Sequence, residues 1–316
     1  MNRRHFILYT TALAASGAFA ASGRAQATSE IRIGYQKGGV LPLIRQQGQL
    51  EQRFKDKGIG VKWVEFSFGP PLLEALNSGS LDYGTTGDAP PIFAQAARAN
   101  LLYVAAVPAS GLTEAIIIPE DSPLNTLSDL KGRKIGFAKA SSAHNTVLAA
   151  LEKAGLAYSD ITPVQLPPAD AAAAFSRGAI DAWSIWDPYL AIAQKGKVRI
   201  LANAGDVHQA NSFFLANRDF TTKHPDLVAA LNDEVAKASK WADGHRAEVA
   251  DYVAEITGVD RDASRKAIDR TAFTLVPISP EITAEQQRVA DRFLKLGLIP
   301  KSITVSDIVW TWNPNT

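Results

Sequence analysis

The sequence from Lys134 to Asn145, KIGFAKASSAHN, joins a short apolar strand to the start of a helix, and it decides the fold prediction. Lys134–Phe137 has the composition of a strand, and Thr146–Ala154 carries apolar residues at helical spacing. Ser141 and Ser142 therefore lie at a helix N-terminus, where unpaired backbone N–H groups and the helix dipole can bind a negative group. Helix capping by serine without a ligand is the alternative, and these residues alone do not separate the two interpretations.

A near repeat predicts two βα domains of similar build. Leu76–Tyr83 (LNSGSLDY) aligns with Phe175–Ala182 (FSRGAIDA) at an offset of 99 residues, and the same offset places Asp88 on Asp187. Each copy has a helix, a glycine stop, a short strand and an aspartate that opens a proline-containing helix. Glycine-stopped helices are common, so chance similarity is the alternative.

Five strand-to-helix junctions share a polar or glycine-containing character, and we expect them to converge in a cleft between the two domains, because ligands bind at the carboxyl ends of such strands. The junctions are Gln36–Gly39, Ser67–Gly69, Gly87-Asp88, Ser141–Asn145 and Trp186-Asp187. The chain is predicted to cross between the domains near Pro108–Gly111 and to return through Asn211–Ala216. The helices after His224 are predicted to pack on the first domain, with charges such as Asp291 and Arg292 on a solvated face.

Residues 1–27 have the pattern of an export signal. The pair Arg3-Arg4 precedes an apolar run from Phe6 to Ala21, and Ala25–Ala27 is a small-x-small cleavage pattern. We expect cleavage after Ala27, with Ala20 as the second choice. The arginine pair favours the twin-arginine route over the Sec route. The run is too short and too rich in Ala, Ser and Gly for a membrane span, so the exported product is expected to be free in the periplasm.

Composition excludes several classes of partner and site. The 316 residues are 46% hydrophobic and 21% charged, which is ordinary for a soluble globular protein with room for two domains. Removal of residues 1–27 takes three arginines from the 33 basic residues and nothing from the 32 acidic ones, so the mature net charge is −2. We therefore expect no nucleic-acid partner. The absence of cysteine excludes disulfides, thiolate metal sites and a lipid-anchored N-terminal cysteine.

The predicted cleft has the donors that suit a small anion with an apolar tail. Backbone N–H groups, hydroxyls and amides can bind a permanently ionised tetrahedral head group without proton transfer or a buried countercharge. His144 is either a further donor or a packing residue. The candidates for apolar walls are Phe68, Trp186, Tyr189 and Phe213.

Sequence motifs of an enzyme are absent. The chain has no G-x-S-x-G elbow, no P-loop and no H-E-x-x-H, and its five histidines are scattered. Ser141 and His144 could meet only within one helical turn, without an orienting carboxylate. Asp88 and Asp187 are interpreted first as helix N-caps and only second as ligand neighbours. We therefore expect a binding protein that needs no cofactor and no metal.

Several segments together resemble the aliphatic sulfonate-binding proteins of bacterial ABC transporters, and the resemblance covers essentially the whole mature chain. These segments are Ile31–Gly38 (IRIGYQKG), Thr86–Ala94 (TGDAPPIFA), Ser141–Asn145 (SSAHN), Asp181–Leu190 (DAWSIWDPYL) and Ser212–Ala216 (SFFLA). Ala140 departs from the pattern, since glycine is expected before the serine pair and alanine resists a positive φ.

The resemblance implies an α/β fold of the type II periplasmic binding protein class, with two α/β lobes joined by hinge strands and the ligand cleft between them. It implies lobe I at 28–111 and 213–316, lobe II at 112–212, and a receptor that captures alkanesulfonates and delivers them to an inner-membrane permease. A monomer is expected, since such a receptor must present both lobes to the permease. The implied ligand-binding residues, with the aromatic and return-strand candidates, are Gln36, Phe68, Gly87, Asp88, Ser141, Ser142, His144, Asn145, Trp186, Ser212 and Phe213.

Other ligands stay open at this stage. Receptors for taurine, nitrate or thiamine-precursor pyrimidines share the architecture. The ammonium of taurine requires a well-placed carboxylate, and the sequence does not assign one. An exported hydrolase of sulfonate or sulfate esters is the alternative from a different class.

Overall fold

The structure is a computed structural model, and it describes residues 28–108 and 110–314. Ten strands form two five-stranded mixed sheets, so the prediction of two α/β lobes is confirmed. The first sheet contains β1 (Glu30–Tyr35), β2 (Gly60–Glu65), β3 (Tyr83–Gly87), β4 (Leu101–Pro108) and β10 (Asn211–Asn217). The second contains β5 (Glu114–Pro119), β6 (Lys134–Phe137), β7 (Thr162–Gln165), β8 (Ala182–Trp186) and β9 (Val198–Asn203). We call each sheet with the helices packed on it the first lobe and the second lobe.

Twelve α-helices cover the sheets within the described residues. Those of the first lobe are α1 (Leu41–Gln47), α2 (Gln49–Lys55), α3 (Gly69–Asn77), α4 (Ala89–Ala96), α8 (Arg218–Lys223), α9 (Pro225–Gly244), α10 (Arg246–Thr257), α11 (Arg261–Arg270) and α12 (Pro280–Lys295). Those of the second lobe are α5 (Ser142–Lys153), α6 (Pro168–Ser176) and α7 (Tyr189–Ala193). None of the helices in the described part of the chain combines the length and apolar character that crossing a membrane requires.

The two sheets have the same strand plan. The first has the order β2-β1-β3-β10-β4 and the second the order β7-β6-β8-β5-β9. In each, the first three strands are parallel and the fourth is antiparallel to both of its neighbours. Since β5 follows β4 and β10 follows β9 in the chain, both antiparallel strands come directly after a crossing between lobes. The chain therefore crosses between the two lobes twice.

The repeat seen in the sequence is a structural repeat. α3 and α6 are offset by 99 residues, and so are β3 and β8. Asp82 Oδ2 accepts from the backbone N–H of Arg32 at 2.8 Å, and Asp181 Oδ2 accepts from that of Lys134 at 2.7 Å. The equivalent aspartates thus hold the equivalent strand in each lobe, and chance similarity is excluded.

Each lobe has its own apolar core, and the long C-terminal helices belong to that of the first lobe. Leu231 of α9 and Phe293 of α12 are fully buried in the same cluster as Ile33 and Tyr83 of the first sheet. A separate small cluster joins α11 to α7 of the second lobe, and its members are Ala191, Val259, Ala263 and Ala267. The helix α11 therefore touches both lobes.

Local contacts set several element boundaries. The segment between β1 and β2 forms two helices, because Gly48 adopts φ +63° between α1 and α2. The strand β3 starts at Tyr83, because the N–H of Leu81 still bonds to Ala75 O in the turn that ends α3. The predicted export signal, residues 1–27, lies outside the described residues.

Candidate functional site

A cavity of about 190 Å³ lies between the two lobes, where all five predicted junctions come together. The junctions contribute Gln36, Gly69, Gly87, Ser142 and Trp186 to its wall. Three of these residues end a strand or directly follow one, so the cavity is at the carboxyl ends of β1, β3 and β8. The expected position of the cleft therefore agrees with the fold.

The N-terminus of α5 presents free donors to this cavity. Ser141 is the N-cap in an extended conformation, and the backbone N–H groups of Ser142 and Ala143 have no partner within the described residues. The hydroxyl of Ser141 donates to Ala138 O at 2.7 Å, so it is already used inside the loop. The hydroxyl of Ser142 is hydrogen-bonded to the carboxyl group of Glu114, so the donors without a partner are the two backbone N–H groups.

Gly87 of the first lobe faces Ser142 of the second lobe directly. A Cβ atom built on Gly87 would lie 2.8 Å from Ser142 Cβ and 3.0 Å from its Oγ. Contacts this short do not occur between real side chains, so only glycine permits this approach of the two lobes. The two lobes therefore touch at the wall of the cavity itself.

Ala140, the residue that departs from the family pattern, adopts the left-handed backbone conformation that alanine resists. Its φ is +59°, in the left-handed region that favours glycine. The backbone N–H of Ala140 lies 3.4 Å from His144 Nδ1, a long hydrogen bond across the first turn of α5. The loop keeps its geometry with alanine, and this conformation strains the backbone.

Six of the eleven candidate residues lie on the cavity wall. These are Gln36, Gly87, Ser141, Ser142, Trp186 and Ser212. The other five do not line it: Phe68, Asp88, His144, Asn145 and Phe213. Contact with a ligand stays a prediction for the six.

Three of the other five are directed away by helix and strand periodicity, and Phe68 and Asp88 are the N-caps of α3 and α4. His144 and Asn145 lie two and three positions beyond Ser142, so they face the lobe interface instead of the cavity. On β10 the side chains alternate, and Phe214 lines the cavity while Phe213 packs edge-on against Tyr103 at 4.9 Å between ring centroids. The aromatic wall from this strand is therefore Phe214, one residue from the candidate.

His144 is a packing residue in this structure. It is 1% exposed, its ring stacks on Phe137 at 4.6 Å between centroids, and it meets the edge of Phe293 at 5.2 Å. Burial lowers the pKa of His144 to about 4, with a smaller effect of the Lys139 charge in the same direction. The ring is therefore neutral near neutral pH.

Asp88 and Asn145 connect the lobes beside the cavity. Asp88 Oδ1 caps α4 by accepting from Ala89 N, and its Oδ2 accepts from Asn145 Nδ2 at 2.7 Å. Burial raises the pKa of Asp88 to about 6, and the hydrogen bond from Asn145 opposes that shift. Asp88 is thus an N-cap, as first interpreted, and also a contact between lobes.

Arg292 corrects the prediction that α12 carries only a solvated face there. Its Nη1 donates to Asn145 Oδ1 at 2.7 Å and its Nε to Glu152 Oε2 at 3.0 Å, both on α5 of the second lobe. Its side chain is only 16% exposed. The position on an amphipathic helix was correct, but a partner in the other lobe is not visible from helical periodicity.

Three sets of charged or polar residues on the cavity wall were not singled out from the sequence, although Lys37 lies within the predicted junction Gln36–Gly39. Lys37 donates its amine to Thr257 O at 2.9 Å, at the C-terminus of α10. Glu114, which is 5% exposed, starts the otherwise apolar strand β5. The small polar residues that α9, α11 and the segment after α11 contribute are Ser239, Ser264 and Thr271. An acid at the head of the strand sequence EAIIIP was the one available signal.

Asp187 lines the cavity and lies just before Pro188, which is the N-cap of α7, so the prediction that Asp187 itself is the N-cap is wrong. Its Oδ1 accepts from Ala191 N at 3.0 Å, while Arg270 Nη1 of α11 lies 3.6 Å from its Oδ2. Burial raises the pKa of Asp187 to about 6, and the charge of Arg270 opposes the shift. This pair links α11 to the second lobe.

The described residues contain no group of three or more His, Cys, Asp or Glu side chains placed to hold a metal ion. The wall instead combines helix N-terminal N–H groups, hydroxyls, amides and aromatic rings. Such donors suit a small anion with an apolar part.

Comparison with known proteins gives consistent matches across the chain. A family model described as NMT1/THI5 like matches residues 53–248. A curated protein of Escherichia coli (strain K12), named as an aliphatic sulfonates-binding protein, is 42% identical over 283 residues, which cover 89% of this chain and 88% of that protein.

Two solved structures are similar over nearly their full length. The periplasmic aliphatic sulphonate binding protein SsuA from Escherichia coli is 39% identical, with a TM-score of 0.82, covering 91% of this chain and 94% of that chain. The alkanesulfonate-binding protein SsuA from Xanthomonas axonopodis pv. citri, bound to MOPS, is 41% identical, with a TM-score of 0.84, covering 89% and 98%.

Proposed function

Because the chain belongs to the aliphatic sulfonate-binding proteins of the NMT1/THI5-like family, we propose that it is the periplasmic receptor of an ABC transporter and that alkanesulfonates are its ligands. The relatives with 39% to 42% identity are binding proteins, and the proposed role is non-catalytic. Transfer of the ligand to an inner-membrane permease, for sulfur assimilation, is part of the proposal, as is a monomeric receptor.

One observation carries the assignment of the head-group position: the free N-terminus of α5 faces Gly87 inside a cavity between the lobes. A sulfonate stays ionised at all ordinary pH values, so it needs donors and no proton transfer. Backbone N–H groups at a helix N-terminus supply them with a favourable dipole. Trp186 and Phe214 are the aromatic surfaces for the alkyl tail.

Closure of the two lobes is the proposed mechanism. A ligand that contacts Ser142 in one lobe and the Gly87 or Gln36 segment in the other binds the closed form more tightly than the open form, so it shifts the population toward closure. The chain crosses twice between the sheets, which limits the motion to a hinge. A permease can then distinguish the closed receptor with its ligand from the empty receptor.

Taurine is a second candidate ligand, and one observation favours it. The carboxyl groups of Glu114 and Asp187 line the cavity, and a carboxylate is what the ammonium of taurine requires.

A thermal-shift screen of residues 28–316 tests the proposal. The panel contains short and long alkanesulfonates, taurine, sulfate, nitrate and hydroxymethyl-pyrimidine, because a ligand specific to the folded state raises the melting temperature by mass action. We expect a shift with alkanesulfonates. A shift with only taurine, nitrate or the pyrimidine would keep the fold and reject the ligand class, and silence across the panel would reject the function.

Substitution of Ser142 tests the head-group position. Ser142→Ala removes the side-chain donor and is expected to weaken alkanesulfonate binding by about 1.5 kcal/mol, or about tenfold, without unfolding the protein. Ser176→Ala, an exposed serine at the end of α6, is the matched control. Equal affinities of both variants and the unsubstituted protein in a calorimetric titration would reject the placement.

A further inference from the structure

Glu114 places a buried carboxyl group beside the proposed anion seat. It is the first residue of β5, where the chain enters the second lobe, and it lines the cavity together with Ser142. Its side chain is hydrogen-bonded to Ser142 and to Thr146, one turn further along α5. An acid in this position is unexpected in a site for anions, because two negative charges in a desolvated pocket repel each other.

The other charged groups of the wall have partners of their own. Lys37 donates to the carbonyl of Thr257, and Asp187 faces Arg270 at 3.6 Å. Glu114 has no arginine or lysine partner among the described residues, and its hydrogen-bond partners are hydroxyl groups. Its negative charge is therefore not neutralised by direct contact with a permanent cation.

The titratable and charged groups around Glu114 come from three other elements. Asp88, at the start of α4, adds a negative charge, while His208, in the segment before β10, can add a positive one. His208 Nε2 lies 2.9 Å from Thr146 Oγ1, and its Nδ1 lies 3.7 Å from Asp88 Oδ2. Arg292 of α12 donates to Asn145, and its positive charge lowers the pKa of Asp88 and of His208. The side of α5 that meets Glu114 presents the hydroxyls of Ser142 and Thr146.

These surroundings favour the neutral acid. Burial raises the pKa of Glu114, as does the charge of Asp88, while the hydrogen bonds from Ser142 and Thr146 and the charge of His208 oppose the shift. A sulfonate beside Ser142 would raise that pKa further, since it cannot itself accept the proton. A protonated carboxyl group is also a donor, so it can bond to a sulfonate oxygen where a carboxylate would repel it.

On the basis of the proposed function, we propose that Glu114 is a specificity-determining residue that meets the ligand as a neutral acid, so that the protein takes up one proton when it binds an alkanesulfonate. Affinity is then constant at low pH, where Glu114 is protonated in the free and bound protein alike. It falls as the pH rises through the range in which only the bound protein keeps the proton. A zwitterionic sulfonate behaves differently, because its ammonium can pair with ionised Glu114.

Calorimetric titration of residues 28–316 with butane-1-sulfonate from pH 5.5 to 9 tests this inference. Each pH is measured in two buffers of different ionisation enthalpy, which gives the number of protons taken up. For the unsubstituted protein we expect Kd to rise about tenfold per pH unit on the descending limb, with uptake approaching one proton. The Kd for taurine, measured in parallel, is expected not to show this rise with pH.

The variant Glu114→Gln separates this role from a structural one. Glutamine keeps the shape and the hydrogen-bonding capacity of the neutral acid, so we expect unchanged affinity at low pH and a flat profile above it. Glu120→Gln, an exposed glutamate just beyond β5, is the control and keeps the profile of the unsubstituted protein.

Three results would overturn the inference: a pH-independent Kd in the unsubstituted protein, proton uptake that persists in Glu114→Gln, or loss of its low-pH affinity while circular dichroism shows it folded. If the variant does not fold, the profile of the unsubstituted protein decides alone. Failure of the unsubstituted protein to bind butane-1-sulfonate at any pH would instead reject the proposed function.

Discussion

The buried His144 links stability to pH in the second lobe. Burial lowers the pKa of His144 to about 4 from its ordinary value of 6.5. Between these pH values the unfolded chain holds a proton that the folded chain does not, so the contribution of His144 to stability rises with pH across this window and is complete above it.

The variant His144→Phe keeps the stacking on Phe137 and removes the titration. We expect the difference in free energy of unfolding between the unsubstituted protein and the variant to increase by about 1.4 kcal/mol per pH unit from about pH 4 to 6.5. Urea denaturation at several pH values measures it. His245→Phe, at an exposed position, is the control, and parallel curves for the unsubstituted protein and His144→Phe would contradict the prediction.

Ala140 gives a second prediction at this scale. Glycine relieves the strain of φ +59°, and this gain offsets the greater flexibility of glycine in the unfolded chain and the loss of a methyl group. Ala140→Gly is therefore expected to change the free energy of unfolding by less than about 0.5 kcal/mol. Ala138→Gly, at a buried position without positive φ, is expected to cost about 1 kcal/mol or more. Equal losses in thermal unfolding would show that Ala140 carries no strain.

Individual side chains were the least predictable level of this structure. Ser141 and Ser142 were correctly placed at a helix N-terminus, because the change from strand to helical spacing marks the junction. Phe213 was the predicted aromatic wall, whereas Phe214 lines the cavity, because the face of β10 that meets the cavity carries Phe214. That choice is fixed by pairing with β3 and β4, which are distant in sequence.

At the scale of elements, α11 joins the two lobes beside the cavity. It packs against α7 through alanines, and Arg270 and Lys195 form the charged contacts at 3.6 Å to Asp187 and 3.1 Å to Asp260. The half-exposed Lys195 pair contributes little, whereas Arg270 faces a buried carboxylate. The contact of α11 with α7 therefore depends mainly on alanine packing and Arg270.

The variant Arg270→Met is expected to weaken ligand binding by about 2 kcal/mol, or about 30-fold, because closure would bury Asp187 without a charged partner. Calorimetric titration measures this loss. Arg265→Met on the same helix removes only an exposed pair with Asp251 and is expected to keep full affinity. If Arg270→Met also kept full affinity, α11 would have no role in closure.

Elements were predictable where the sequence repeats. The helices α3 and α6 and the strands β3 and β8 follow from the glycine stops and the aspartate pattern alone. The contact between α11 and α7 was not predictable, because small alanines on an amphipathic helix do not specify which surface covers them. The partner of Arg292 was missed for the same reason.

For the whole molecule, closure requires a residue without a side chain at position 87. The backbone of Gly87 does not have positive φ, so alanine fits each lobe separately and conflicts only with Ser142 of the other lobe. The variant Gly87→Ala is expected to hold the lobes apart, with at least about tenfold weaker ligand binding and a melting temperature of the free protein close to that of the unsubstituted protein.

Small-angle X-ray scattering with and without alkanesulfonate measures the closure directly. Compaction by the ligand is expected for the unsubstituted protein and for Gly60→Ala, where a Cβ meets only an ordinary contact at 3.6 Å. Full compaction of Gly87→Ala by the ligand would contradict the prediction.

The position of β10 in the first sheet also constrains the order of folding. β10 lies between β3 and β4, so the first sheet has a gap until the chain beyond the second lobe has been made. The strands of the second sheet are consecutive, from β5 to β9, and need nothing from later in the chain. On the ribosome the N-terminal strands therefore emerge first, and the edges of β3 and β4 stay unpaired until β10 has been synthesised. Pairing with so distant a strand is slow, and the unpaired edges are exposed to aggregation in the meantime. The second lobe can fold as soon as it is synthesised. The second lobe therefore completes its fold before the first lobe, although synthesis of the chain begins with the first lobe.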